Sequence, residues 1–423
     1  MRYPTSPIPS LEMFRKTSGN SYQLFTGTHG WAIVTEKATV IDHVLRVNNK
    51  NYLKSPVVTE VLSKYIGKGL LTTDGPFWRK QRRLIQPGFN RERLANLVNT
   101  IDEEASAWVK DFKTGTETDL YKSTLPLAMQ IMARVLFTDK VSDAQLTTVA
   151  HAVKIGQVAF AKEIRQPLLG FWRKLINSTA KVNQEAKKAV KILQHQVEVH
   201  RANPEVYQDL LQMLIEAKYE DGTSMTDAQL VDEILVLILA GHETTAVSLA
   251  CTIHLLAQHP EWQAKVQVEW KEVVGIAKAD AEMLQELPIL TAVIKEGMRL
   301  YPPAYLISRK AIEEDEVDGV KIKAGQLVLS NVYGAHRNSI NFEDESTFDP
   351  TRYLDRRTTT NFAFGGGPRM CVGYHLAMME MHITIGRLLG NGTFVKTQQA
   401  ELDFSAAVTL RPRTGVWVTL EKM

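Results

Sequence analysis

Phe364-Gly365-Gly366-Gly367-Pro368-Arg369-Met370-Cys371-Val372-Gly373 is the stretch that decides the fold, and a helical pattern begins directly after it. A cysteine just ahead of a helix start meets unpaired N–H groups and the positive helix end, which favour its thiolate. Gly365, Gly366 and Gly367 let the backbone fold tightly and turn its N–H groups toward the sulfur. Gly373 leaves space for a bulky group, and Arg369 is within reach of an anion at that group's edge. Core packing, zinc and haem are all open for Cys371 at this point. No second cysteine or paired histidine stands at ligand spacing nearby, which is poor for zinc. A single thiolate with space above it suits haem, where the sulfur pushes electron density onto iron and favours O–O cleavage.

The rest of the chain sets few other constraints. It has 423 residues, 44% hydrophobic and 23% charged, a profile of ordinary globular protein. No linker-like stretch, low-complexity tract or internal repeat divides it, so residues 1–423 are expected to form one large domain. The formal net charge of +3 is too small to indicate nucleic acid. The densest basic run, Arg79-Lys80-Gln81-Arg82-Arg83, reads as a solvated helix face or a site for an acidic partner. Only Cys251 and Cys371 carry thiols, so a disulfide framework is not expected and a reducing cytoplasm is the default. Cys251 lies in an apolar helical stretch and reads as a packed small side chain. The N-terminal residues lack a signal-peptide pattern. The longest uncharged apolar run, Ile234 to Gly241, is far short of the roughly 20 residues of a membrane span. The chain is therefore expected to involve no membrane.

Patterning predicts a mainly α fold with small β-sheets, an α+β class. Ser21–Phe25 and Trp31–Val34 around Gly27 to Gly30 read as a hairpin within residues 21–36. Helical periodicity dominates from about 37 to 300, and a helix from about 372 to 389 stops at Gly390-Asn-Gly392. Strand-like regions lie near 303–332 and 402–420. Gly319-Val-Lys-Ile-Lys-Ala-Gly325 reads as a short hairpin in the first of these, and residues 341–370 are irregular.

Three further groupings stand out. Thr226-x-x-Gln229 has the form of a capping box for a long helix ending near 258. Ala240-Gly-His-Glu-Thr-Thr245 breaks the apolar run of that helix with polar groups. There Gly241 weakens the helix and threonine hydroxyls compete for carbonyls, so a local groove is expected. Glu296-x-x-Arg299 pairs opposite charges on one helix face, and Trp78-x-x-x-Arg82 pairs an indole N–H with a guanidinium.

Taken in order, these motifs resemble those of the cytochrome P-450 monooxygenases. Phe364-x-x-Gly367-x-Arg369-x-Cys371-x-Gly373 is similar to the family's haem-binding loop. The resemblance implies the cytochrome P450 fold, with a long central helix over haem. It implies haem b as cofactor, with Cys371 the metal ligand and Phe364, Gly365 and Gly373 in the loop around it. Trp78, Arg82, Arg309 and Arg369 match positions that bind the haem propionates. Ala240 and Gly241 match the small pair that makes room for O2, the co-substrate. Glu243 and Thr244 match the acid and alcohol that manage proton delivery, since splitting dioxygen consumes two protons. His242 should face away from iron, because a distal histidine ligand would block oxygen. Glu296 and Arg299, joined by Arg352, match a buried ion network that supports the cysteine loop.

The function so implied is a monooxygenase that hydroxylates or oxidatively O-demethylates a small organic substrate. A peroxide-driven peroxygenase and a non-catalytic haem-thiolate sensor or carrier are the rival readings. The 50 residues after Gly373 hold no flavin or iron–sulfur motif. Electrons are therefore expected from a ferredoxin (or flavodoxin) and its NAD(P)H-dependent reductase, serving a cytoplasmic monomer of bacterial type. Arg79, Lys80 and Arg83 are candidates for the docking patch. Substrate contacts are expected from the loop before Trp78, residues 155–180, the oxygen-side helix, Ala304–Ile307 and the turn at Ala406-Ala-Val408. The apolar character of several of these favours a hydrophobic ligand. Gln157, Lys162, Glu163, Arg165 and Gln166 would suit a polar one, such as a sugar or methyl ether, if they turn inward.

Overall fold

The computed structural model describes residues 6–27, 30–138, 141–165, 178–355, 360–390, 393–406 and 408–422. Its axis is the helix Asp227–Gln258, opened by the expected capping box: Thr226 and Gln229 each bond the other's backbone N–H. Such a cap contributes about 1 kcal/mol. The helix is long and apolar enough to cross a membrane, but 83% of its most apolar window is buried inside the protein. A helix apolar on nearly every side belongs in a core. Helices Leu120–Phe137, Pro288–Leu300 and Tyr374–Gly390 pack around it and share its main hydrophobic core. The Thr124 hydroxyl donates to the carbonyl of Ala246 at 3.0 Å, tying the first of these helices to the axis.

A five-stranded sheet flanks this bundle in the order Ser21–Phe25, Trp31–Thr35, Leu327–Asn331, Leu306–Ala311, Tyr52–Lys54. The first pair is the expected hairpin, in register from Ser21↔Thr35 to Phe25↔Trp31. Trp31–Thr35 and Leu327–Asn331 run parallel, and the other pairings are antiparallel. Val40, Ile41, Val328 and Phe362 fill a second core beneath this sheet. Near the C-terminus, Trp417–Lys422 lies between Glu117–Asp119 and Thr393–Lys396. A small hairpin pairs Phe404–Ala406 with Leu410–Pro412.

Helices dominate 37–300 as expected, with Tyr52–Lys54 and Glu117–Asp119 as short edge strands among them. Three residues are too few for period-two alternation to show. Other expectations change here. The hairpin assigned to 319–325 turns instead at Asp318-Gly319 and pairs Asp315–Val317 with Val320–Ile322. Asp318 and Gly319 have φ of 50° and 75°, as a two-residue type I′ turn requires. The helix after Cys371 begins at Tyr374 rather than 372, and its expected stop at Asn391 and Gly392 lies outside the described residues.

Candidate active site

The cysteine loop is folded by its own backbone. Gly365 N donates to Phe362 O at 2.8 Å, Met370 N to Gly367 O at 3.0 Å and Cys371 N to Phe364 O at 3.0 Å. Gly365 and Gly367 have φ of 73° and 64°, and a side chain on Gly367 would strike the carbonyl oxygen of Leu45. The loop thus needs glycine there both for conformation and for space. A methyl on Gly373 would sit 3.9 Å from the Cys371 Sγ and narrow the approach to it.

Cys371 opens onto an internal cavity of about 970 Å³. Ala240, Gly241 and Thr244 line the same cavity, as do Trp78, Arg82, Arg309, Arg369, Phe364, Gly365 and Gly373. Burial pushes the Cys371 thiol up, while the Gly373 N–H and the Arg82 guanidinium act the other way. The Gly373 N–H and the Arg82 guanidinium favour the thiolate, as expected of a cysteine just ahead of a helix start.

The four expected propionate anchors sit differently from one another. Trp78 and Arg82 are one turn apart on the helix Gly75–Ile85, which Asp74 caps through Gly75 N at 2.8 Å. Arg82 donates to Met370 O (2.9 Å) and Gln86 Oε1 (3.1 Å). Arg369 is ion-paired with Asp74 at 2.9 Å, donates to Asn49 O, and lies 5.1 Å from the Trp78 ring. Arg309 is 9% exposed, donates once, to Ser308 O, and has no carboxylate within ion-pair distance among the described residues. Burial and the neighbouring Arg369 push it down to about 10. It stands directly across from Lys54 in the sheet register. Like charges opposed on neighbouring strands are unfavourable. The Trp78 indole N–H donates to no described residue. An under-partnered guanidinium and a free N–H on the wall of a cavity that also holds a thiol fit haem, whose propionates would supply the missing acceptors.

Lys54 had no signal in the sequence. Its Nζ donates to Leu70 O (2.6 Å), Leu71 O (3.1 Å) and Thr73 O (2.9 Å), spending all three protons. The Lys68 and Leu70 N–H groups are held by Asp232 and Glu233 of the central helix, each at 2.8 Å. The loop before Trp78 is thus clamped from both sides, and Leu70 and Leu71 face the cavity.

The central helix is continuous through residues 240–245, and Ala240 and Gly241 line the cavity there. Thr244 Oγ1 donates to Ala240 O at 2.6 Å, and Thr245 and Ser248 repeat the pattern one turn back. A methyl on Gly241 would meet Met132 Sδ at 2.7 Å, so this glycine also admits the helix Leu120–Phe137. His242 bonds Ile238 O through Nδ1 (2.9 Å) and does not line the cavity. Glu243 does not line it either. It pairs with Arg411 at 2.5 Å and accepts from Thr409 Oγ1 (2.6 Å), Gln157 Nε2 (3.0 Å) and Tyr121 OH (3.3 Å). Burial would raise this carboxyl, but Arg411 and Thr409 hold it below the usual carboxylate range. Thr409 does line the cavity. Nothing local in the sequence marked Arg411 or Thr409, which follow the acid by more than 160 positions.

Glu296 and Arg299 are both fully buried, and the pair is bidentate at 2.7 and 2.8 Å. Arg352 Nε lies 3.4 Å from Glu296, while its other nitrogens bond Glu343 O and Asp344 O. The three expected residues therefore come together. In the basic run at 79–83, Lys80 pairs with Asp221 at 3.5 Å and Arg83 with Glu220, all four side chains being exposed.

A family model described as Cytochrome P450 matches residues 4–417. The protein LUTEIN DEFICIENT 5 of Arabidopsis thaliana is 27% identical, over 98% of this chain and 74% of its own. Cyclooctat-9-en-7-ol 5-monooxygenase of Streptomyces melanosporofaciens is 29% identical, over 76% of this chain and 72% of its own. The crystal structure of the cytochrome P450DA heme domain shares the fold with a TM-score of 0.87 at 18% identity, covering 99% of this chain and 94% of that one. The chain belongs to the cytochrome P450 family, and is an oxygenase that uses haem, O2, a small-molecule substrate and redox partners.

Proposed function

We propose that this P450 hydroxylates a largely apolar small molecule, with haem b held by Cys371. One observation carries the substrate class. Away from the sulfur, the cavity wall is built from side chains such as Val57, Val61, Leu70, Phe160, Leu237 and Leu306. A wall of this kind binds by removing apolar surface from water. The polar residues that would have suited a sugar are mostly engaged elsewhere. Gln157 is buried against Glu243 and Arg411. Glu163 reaches the wall but is held by Lys64 (2.9 Å) and Tyr65 OH (2.5 Å). Lys162 is absent from the wall, and Gln166 and the side chain of Arg165 lie outside the described residues. Oxidative O-demethylation of a polar ether has less support for that reason. A relative whose name gives cyclooctat-9-en-7-ol as substrate is consistent with an apolar ligand.

Haem, when bound, supplies the iron at which dioxygen is reduced and one oxygen atom passes to a C–H bond. Trp78 N–H and Arg309, with Arg82 and Arg369 beside them, would receive its two propionates. Ala240 is open to the cavity and keeps the helix wall low where a small molecule has to lie. The Thr244 hydroxyl stands in that wall as the group that holds and hands on a proton. Glu243, kept ionised by Arg411, takes up a proton and passes it toward the cavity through the Thr409 hydroxyl. Electrons come from a separate ferredoxin or flavodoxin with its NAD(P)H-dependent reductase. A cytoplasmic monomer is the accompanying reading, supported as to compartment by two cysteines that form no disulfide.

Two spectra test this reading. The reduced protein with carbon monoxide should show the strongly red-shifted Soret band of a thiolate ligand, and Cys371→Ala should lose it. In titrations of the ferric protein, terpenes or fatty acids should shift the Soret band by displacing the water ligand, and methylated sugars should not. A shift with sugars alone would overturn the substrate class.

A further inference from the structure

His336 follows the helical turn Val332–Ala335 and is completely buried. Its Nδ1 lies 3.1 Å from the carbonyl oxygen of Arg299, and its Nε2 lies 2.9 Å from the backbone nitrogen of Phe362. A carbonyl only accepts, so Nδ1 carries the proton. A backbone N–H only donates, so Nε2 is bare. The ring is therefore neutral and held in one tautomer by two backbone groups. Burial and the adjacent Arg299 push it down to about 3, which agrees with that state. The imidazole stacks on the Phe362 ring at 6.0 Å and 9°, and meets Phe342 edge-on at 6.1 Å and 88°.

These two bonds join parts of the molecule that are otherwise described separately. On one side, Arg299 returns a bond from Nη1 to His336 O at 2.5 Å and is itself clamped by Glu296. On the other, Phe362 opens the cysteine loop: its carbonyl accepts from Gly365 N, and Phe364 O accepts from Cys371 N. We propose that His336 is a positioning residue for Cys371, coupling the Glu296–Arg299 network to the first turn of the cysteine loop through its acceptor bond from Phe362 N–H. Without that acceptor the Phe362 N–H is buried and unpaired, and the turn that sets the height of the sulfur is free to relax. The proposal rests on Cys371 being the iron ligand.

Two conservative variants of the holoprotein separate the two bonds. The asparagine amide nitrogen in His336→Asn replaces Nδ1 and keeps the bond to Arg299 O, but leaves Phe362 N–H without its acceptor. The glutamine amide oxygen in His336→Gln reaches the position of Nε2 and keeps that acceptor, but gives up the donor to Arg299 O. The measurement is the rate at which the reduced carbon monoxide complex loses its red-shifted band, in mild denaturant, while haem stays bound. The expected result is loss about tenfold faster in His336→Asn, the effect of one unpaired buried N–H, with His336→Gln near the wild-type rate. Failure of His336→Asn to load haem while His336→Gln loads it fully supports the proposal in the same way. Equal behaviour of the two variants, or faster loss in His336→Gln, overturns it. A wild-type protein without the red-shifted band would instead overturn the assignment of Cys371.

Discussion

Arg299 and Arg309 are ten residues apart in the chain and both are buried, yet the protein treats them in opposite ways. Arg299 uses all five of its N–H donors: two on Glu296, and one each on the carbonyls of His336, Glu345 and Thr347. Arg309 uses one, on the adjacent Ser308 carbonyl, and faces Lys54 across the sheet. A saturated buried ion pair is architecture, since each charge has been given what it lost on leaving water. A buried cation left short of acceptors is a place kept for an anion, because the protein alone does not offset its desolvation. Within one fold, saturation separates the group that holds the site from the group that waits for a ligand.

The comparison predicts its largest effect at Arg299. Arg299→Leu removes the bidentate partner of the buried Glu296, leaving it only Arg352 at 3.4 Å and the Asp349 N–H, and should cost about 3–5 kcal/mol of stability, with the haem lost as well. Chemical denaturation and haem content measure this, and a wild-type midpoint would remove the distinction. Arg309→Leu should go the other way for the apoprotein. Removing one of two opposed cations should leave its stability unchanged or raise it by up to about 1 kcal/mol. The holoprotein should nevertheless release haem about tenfold faster, one lost anion contact being worth about 1.4 kcal/mol. Transfer of haem to apomyoglobin reads the rate, and loss of apoprotein stability on this substitution would count against a ligand role.

Glu243 lies between these extremes, because it is paired with Arg411 but also touches Thr409 on the cavity wall. Its carboxyl is held below its unfolded value, so the pair stabilises the folded chain at pH above about 4.3, the unfolded glutamate value. That contribution should disappear as pH falls through the lower folded value. Unfolding free energies of wild type and Glu243→Gln should therefore differ most near neutral pH and converge in acid. A difference that grows in acid would reverse the assignment. The smallest structural effect is expected at Thr244. Thr244→Ala should change stability by less than about 1 kcal/mol and keep the haem, while oxygen consumption runs ahead of product and peroxide is released. Full coupling of oxygen to product in this variant would remove Thr244 from the proton path.

Much of the site was legible because its residues are local to one another. The cysteine loop, the polar interruption at 240–245 and the pairs Trp78/Arg82 and Glu296/Arg299 each lie within ten residues. Local spacing is what turn and helix geometry convert directly into shared faces. Lys54, Asp74, His336, Thr409 and Arg411 gave no such signal. Each acts on a residue or loop that reaches it only after the sheet or the bundle has formed. Lys54 meets Arg309 because two strands 255 positions apart pair in register. Arg411 meets Glu243 because the strand Leu410–Pro412 of a two-stranded hairpin packs against the central helix.

By itself the sequence determined the helix-rich fold, because a capped apolar helix is a short-range feature, and its resemblance to the cytochrome P450 motifs implied the reaction class that the glycine-loop cysteine alone left open. Tertiary structure alone decided which charges are satisfied and which are left open. It showed that Glu243 is locked to Arg411 rather than facing the cavity, that Arg369 already has Asp74, and that Arg309 has no carboxylate within ion-pair distance among the described residues. The reason is that the cost of a buried charge depends on its partners, and those partners come from distant parts of the chain.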